Sequence, residues 1–229
     1  LVALVGYTNA GKTTLFNELT KGGLKAEDKL FATLDTTTRK ADFKFKTFDT
    51  VLFSDTVGFI SNLPPKLIES FKATLDDLAS ADLLIHVIDS ADLERDYKIN
   101  QVNIILDDLG VSKVPQIYAL NKIDLLNSLN IQPANNQYPE IKISSETKEG
   151  IKDLRSCISE SLFGSLLSGW VQFSPLQANI RSRLFDTGCI VEEKIDSSGQ
   201  YQSLVEISQA MLEQFENLEN FKDLKPVQL

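Results

Sequence analysis

Eight consecutive residues near the start of the chain, Gly6-Tyr7-Thr8-Asn9-Ala10-Gly11-Lys12-Thr13, place two glycines, a lysine and a hydroxyl at the spacing G-x-x-x-x-G-K-[ST]. Residues of these types build a phosphate cradle. The glycines let backbone N–H groups close around phosphate oxygens, Lys12 brings a cation to the β/γ oxygens, and the Thr13 hydroxyl can ligate Mg²⁺. The run Asn9, Ala10, Gly11, Lys12, Thr13 and Thr14 is therefore assigned to a bound nucleotide, with Lys12 also catalytic. The pattern alone does not separate ATP from GTP. Asn121-Lys122-Ile123-Asp124 does, because the Asp124 carboxylate can accept from both guanine N1–H and the 2-amino group, donors that adenine does not present together. In the same loop Lys122 can cover the ring plane with its alkyl stem, and Asn121 can tie the loop to the phosphate cradle.

Asp55-Thr56-Val57-Gly58 follows an apolar run, so Asp55 is placed to hold Mg²⁺ through a water and Gly58 to offer a backbone N–H to the γ-phosphate. Ser144-Ser145 ends another such run and is expected to present backbone N–H groups to guanine O6. In isolation each of these segments would be a simple turn after a strand. Together, in this order, they read as one site that holds Mg²⁺ and a guanine nucleotide, with Thr13 and Asp55 on the metal.

Such residues have to be carried on strand ends, and the chain supplies them. Apolar runs (LVALV, VLFSD, DLLIHVID, PQIYALN, EIKIS) alternate with helical patterns over residues 13–20, 66–80, 93–109 and 151–163. That alternation argues for a mostly parallel, doubly wound α/β sheet buried on both faces. The helix over 66–80 carries the stripe Leu67, Phe71, Leu75 and Leu78 after Pro64 and Pro65, and Gly110 stops the one before PQIYALN. Between Arg39 and Phe48 apolar and polar residues alternate, which predicts one antiparallel edge strand pairing with VLFSD. From Trp170 onward the pattern becomes strand, helix over 176–185, hairpin turning at 197–200, and a helix carrying Met211, Phe215 and Leu218. The reading is a P-loop domain over 1–165 and a small α+β domain over 166–229.

Composition bounds the remainder. The 229 residues are 42% hydrophobic, and 32 acidic against 23 basic residues give a net charge of −9. That balance argues against DNA and against broad electrostatic binding to nucleic acid. Two cysteines, Cys157 and Cys189, make neither a disulfide framework nor a zinc pattern. The apolar runs are far shorter than the roughly 18 residues of a membrane span. The chain opens at Leu1 inside an apolar run without an initiator Met, so more sequence is expected upstream.

With the intervening LFATLDTTTR and DTVGFISNLPPKLIESFKATL, the set resembles translation-factor-class GTPases and the HflX family in particular, densely over residues 1 to about 165 and loosely beyond. The resemblance implies Mg²⁺-dependent hydrolysis of GTP to GDP and association with the large ribosomal subunit, in dissociation or rescue of stalled or idle ribosomes. It further implies a monomer, in the cytoplasm or, if the chain is eukaryotic, in mitochondria. By analogy Thr33 is the first-switch threonine that meets Mg²⁺ and the γ-phosphate, with Thr36, Thr37 and Thr38 as competitors, and Thr33 and Gly58 join Lys12 as catalytic. Phe59 stands where Ras-like enzymes carry the glutamine that orients water, which implies slow intrinsic hydrolysis dependent on a partner, a cation or backbone groups. Asn9 stands where K⁺-using GTPases coordinate the cation, or else it bonds neighbouring backbone. A rival function is a nucleotide-gated switch for a protein effector, with incidental hydrolysis.

Of the remaining polar and aromatic residues, His86 is read as a core residue, Trp170 and Phe173 as core of the tail, and Arg39, Arg181 and Arg183 as solvated or ion-paired.

Overall fold

The computed structural model describes residues 1–21, 37–45, 48–55, 78–126, 133, 137–195, 200–213, 221 and 223–226. The first apolar run is strand β1 (Val2–Val5), with no accessible surface on any of its four side chains. An unbroken aliphatic run suits a strand covered on both faces. The later runs are β3 (Phe48–Asp55), β4 (Leu83–Asp89), β5 (Gln116–Asn121) and β6 (Glu140–Lys142), and the alternating segment is β2 (Thr37–Phe45). They form one six-stranded sheet ordered β2-β3-β1-β4-β5-β6. β1 runs parallel to β3 and β4, β5 parallel to β4, and β6 parallel to β5, with Val5 opposite His86 and His86 opposite Tyr118. Only residues 46 and 47 separate β2 from its neighbour β3, and so short a connection joins antiparallel strands. The sheet is thus mostly parallel with one antiparallel pair, as expected.

Helix α1 (Lys12–Thr20) buries Leu15, Phe16 and Leu19. Helix α2 (Arg95–Asp108) buries Ile99, Val102 and Leu106. It starts two residues later than its pattern suggests, because Asp92 Oδ1 takes the Glu94 amide at 2.8 Å in a local turn. At its end the Gly110 amide donates to Asp107 O and the Val111 amide to Leu106 O, a Schellman closure. Helix α3 (Ile151–Phe163) has the expected limits. Of the helix expected over 66–80, Leu67, Phe71, Leu75 and both prolines lie outside the described residues, while Leu78 is buried against Ala3, Val5 and Leu84.

The chain divides into two compact units, Leu1–Asp42 with Thr50–Ile158, and Phe43–Asp49 with Ser159–Leu229. In the second, β7 (Leu166–Gln172), β8 (Ile190–Ile195), β9 (Tyr201–Ser208) and the two-residue β10 (Lys225–Pro226) form a sheet ordered β10-β7-β9-β8, antiparallel throughout. Helix α4 (Ala178–Asp186) follows a 3-10 turn at Pro175–Gln177, and α5 (Gln209–Leu212) is a single turn capped by the Ser208 hydroxyl. Phe215, Leu218 and the turn at 197–199 lie outside the described residues. Val171, Phe173, Leu184, Val205 and Ile207 make this unit's core. Trp170 does not join it. In a strand, residues three apart face opposite sides, so with Phe173 buried Trp170 stands on the other face, 41% exposed beneath the Lys194 ammonium.

Candidate nucleotide-binding site

Because β1, β3, β4, β5 and β6 run parallel, the segments that leave their C-terminal ends emerge on one edge of the sheet: Gly6 after β1, Asp55, Asp89 and Asn121 closing β3, β4 and β5, and Ser144 just past β6. Ligands of open α/β sheets bind in this position. The sequence from Gly6 to Lys12 wraps the N-terminus of α1, whose first amides have no partners inside the helix and face an anion with the positive end of the helix dipole. Gly11, the residue before α1, has φ +95°, and a Cβ there would sit 2.3 Å from Asn121 Nδ2. Only glycine allows the cradle and the base loop to approach so closely.

Asn121 holds that approach. Its Nδ2 donates to Ala10 O at 2.9 Å, and its Oδ1 accepts from the Ser145 amide at 2.9 Å and the Ser145 hydroxyl at 3.0 Å. One buried side chain thereby joins three loops. Past it Lys122 takes a left-handed conformation, φ +63°, and its ammonium meets Asp89 Oδ2 at 2.8 Å, which fixes the alkyl stem. Asp124, in the short 3-10 turn Ile123–Leu125, is exposed. Asp89 is a member of the site that the motifs did not single out. The other oxygen of its carboxylate accepts the Ala91 amide, and its position at the end of a buried strand was the available signal.

The expected role of the Ser144 and Ser145 amides meets a competing geometry. Ser144 N–H donates to Glu149 O at 3.0 Å and Ser145 N–H to Asn121 Oδ1, so both are engaged inside the protein. The pair shapes the loop, and Ser145 secures Asn121.

At the phosphate end, Lys12 is 7% exposed and its ammonium donates to Gly6 O at 3.1 Å and Tyr7 O at 2.9 Å. Burial lowers its pKa to about 8, against the opposing pull of Asp55. The Thr13 hydroxyl donates to Asp55 Oδ2 at 2.8 Å. A hydroxyl and a carboxylate brought together at the foot of the cradle are hard oxygen donors of the kind Mg²⁺ takes. Asn9 is exposed with φ +63°. Thr33, Thr36, Gly58 and Phe59 lie outside the described residues.

His86 is core, 1% exposed and edge-on to Tyr118, with ring centroids 4.9 Å apart. Burial, then the charge of Lys12, lowers its pKa to about 3, which keeps it neutral. Of the arginines, Arg39 lies over the Phe16 ring and Arg181 forms a two-pronged ion pair with Glu193. No helix among the described residues is long and apolar enough to cross a membrane.

A Gly-Lys-Thr cradle at the head of α1, an Asn-Lys-x-Asp loop bonded to it and a Thr-Asp pair beneath define the class: a P-loop GTPase fold. The family model described as 50S ribosome-binding GTPase matches residues 1–122, and the chain belongs to that family. It is 39% identical over 201 residues to GTPase HflX of Escherichia coli strain K12, covering 86% of this chain and 47% of that protein. It is 43% identical over 199 residues to GTPase HflX of Caldanaerobacter subterraneus subsp. tengcongensis, covering 87% and 45%. The resemblance to HflX GTPases therefore holds. The chain spans about half the length of these curated relatives. Among solved structures, a GTP-binding protein from the archaeon Sulfolobus solfataricus in complex with GDP superposes with a TM-score of 0.56 at 29% identity, over 70% of this chain and 51% of that one.

Proposed function

We propose that this chain binds GTP and hydrolyses it to GDP and phosphate, with Mg²⁺ as cofactor, as the nucleotide unit of a cytoplasmic, monomeric, ribosome-associated GTPase acting on the large subunit. The observation that carries the reading is the Asn121 node. It holds the phosphate cradle and the base loop in one frame, with Asp124 exposed beside it to accept from guanine N1–H and the 2-amino group.

Lys12 turns its ammonium from the Gly6 and Tyr7 carbonyls onto the β/γ oxygens, and the amides from Asn9 to Thr14 take the remaining phosphate charge. Thr13 and Asp55 would hold Mg²⁺, which would supply charge neutralisation for the phosphates. Thr33 and Gly58 complete the γ-phosphate contacts, and catalysis rests on positioning. With Phe59 in place of a water-orienting glutamine, turnover is slow until a large subunit assists it; Asn9 would be the residue to hold a K⁺ ion, which would add positive charge beside the phosphates. Residues 1–165 carry this chemistry, and 166–229 form an accessory α+β domain.

The test is GTP turnover by this chain with and without purified large subunits, in K⁺ and in Na⁺. Slow intrinsic turnover that large subunits accelerate is expected; absence of GTP binding overturns the reading. GTP binding whose hydrolysis no subunit or cation alters favours the effector switch. Sedimentation of intact ribosomes with the chain and a non-hydrolysable GTP analogue tests the finer role in dissociation or rescue.

A further inference from the structure

The loop 144–150, which Asn121 holds through Ser145, is held at a second place, far from the phosphate cradle. Helix α1 carries Lys12 and Thr13 at its head, and its last carbonyls have no donors within the helix. One of them, Leu19 O, accepts from the Arg155 guanidinium at 2.8 Å, a partner 136 residues away. Arg155 lies near the start of α3, which begins directly after the loop 144–150. From inside that loop Lys148, at φ +68°, reaches Glu18 of α1 at 2.7 Å.

The loop has little freedom of its own. Ser144 N–H donates to Glu149 O, Lys148 N–H to Ser144 O and Thr147 N–H to the Ser144 hydroxyl. A Cβ on Gly150 would stand 2.0 Å from Lys142 O, so the loop closes tightly on β6. A loop this stiff moves as a body about whatever holds it. At the phosphate side it is held by Asn121, and at the far end of α1 by Arg155 and Lys148. Nine residues of helix, about 13 Å, separate the two attachments.

We infer that Arg155 is a positioning residue for guanine recognition: by tying the tail of α1 to the start of α3 it fixes the loop 144–150 relative to the phosphate cradle, and through the Ser145–Asn121 bonds it fixes the base loop beside it. Lys148–Glu18 assists, and contributes less because Lys148 is largely exposed. The inference rests on the guanine-nucleotide reading above.

The test is stopped-flow release of a fluorescent GDP derivative, together with the ratio of GDP to IDP affinity, for the chain and its Arg155→Ala and Arg155→Lys variants. IDP lacks the 2-amino group, so the ratio reports the seating of the base against Asp124. Arg155→Ala should speed release on the order of tenfold and shrink the GDP/IDP ratio severalfold, at a temperature where circular dichroism shows the variant fully folded. Arg155→Lys, which keeps one donor, should recover most of both. A lower melting temperature with unchanged release and unchanged ratio would make Arg155 merely structural and overturn the inference. If Arg155→Ala does not fold, Glu18→Lys and Lys148→Glu should each speed release and their combination restore it, and failure of the pair to couple overturns the inference equally. A parent chain that does not prefer GDP to IDP instead refutes the guanine reading itself.

Discussion

In the first unit polar side chains bond across long sequence distances. Asn121 reaches Ala10 and Thr13 reaches Asp55 at one edge of the sheet, and Arg155 reaches Leu19 at the far end of α1. In the second unit the main polar cluster, Arg181 with Glu193 and Ser203, ties one helix to two neighbouring strands within about one hairpin of sequence. The strand directions account for the contrast. Parallel strands deliver every loop after a strand to the same edge, where side chains converge on a ligand, whereas antiparallel strands send successive loops to opposite edges. Polar groups in the first unit are therefore arranged for a nucleotide, and those in the second for cohesion of helix and sheet.

Lys12→Met should break the first arrangement most severely. Nucleotide affinity should fall by at least about 100-fold, since a charge-assisted contact to phosphate is lost. The ligand-free chain should melt a few degrees higher, about 2–4 °C per kcal/mol regained, because a buried ammonium is removed. Isothermal titration and differential scanning calorimetry read the two effects, and a lower melting temperature would show that Lys12 serves the fold instead.

Asn121→Ala should damage fold and site together. It leaves Ala10 O and the Ser145 amide without their buried partner, at a cost of about 2–4 kcal/mol in urea unfolding. A loss under 1 kcal/mol would mean that water or neighbouring groups replace it.

Alkaline pH should separate stability from affinity. Folded Lys12 has its pKa at about 8 and the unfolded side chain at 10.5, so between these values the unfolded chain binds more protons. Ligand-free stability contributed by this group should thus rise with pH across the window, by up to about 1.4 kcal/mol per unit, while nucleotide affinity falls as the amine loses its charge. Urea titrations and nucleotide titrations at pH 7.5 to 9.5, as approximate settings, check both directions.

Arg181→Ala should have the smallest effect. Losing a half-buried ion pair should cost about 1 kcal/mol and leave nucleotide affinity untouched. Any change in GDP affinity would join the two units functionally and blur the contrast.

What was legible in the sequence follows the same division. Gly6 to Thr13 and Asn121 to Asp124 are local patterns with local geometry, and buried parallel strands announce themselves as unbroken aliphatic runs. The ends of α3 and the Gly110 closure were readable because helix signals are also local. The partners of Arg155 and Asp89 were not, since nothing near these residues in sequence names Leu19 or Lys122. The amides of Ser144 and Ser145 could be placed at the base but not known to be engaged, because that depends on where Asn121 points. Trp170 was misplaced by assigning residues three apart on a strand to one face.

The guanine reading rests most directly on Asp124, which sits exposed next to the Asn121 node. Titration of the chain and its Asp124→Asn variant with GTP and xanthosine triphosphate tests it. The account predicts that the substitution weakens GTP by about 1–3 kcal/mol and strengthens xanthosine triphosphate, as the hydrogen-bond match is exchanged. Equal affinity of parent and variant for GTP would contradict it.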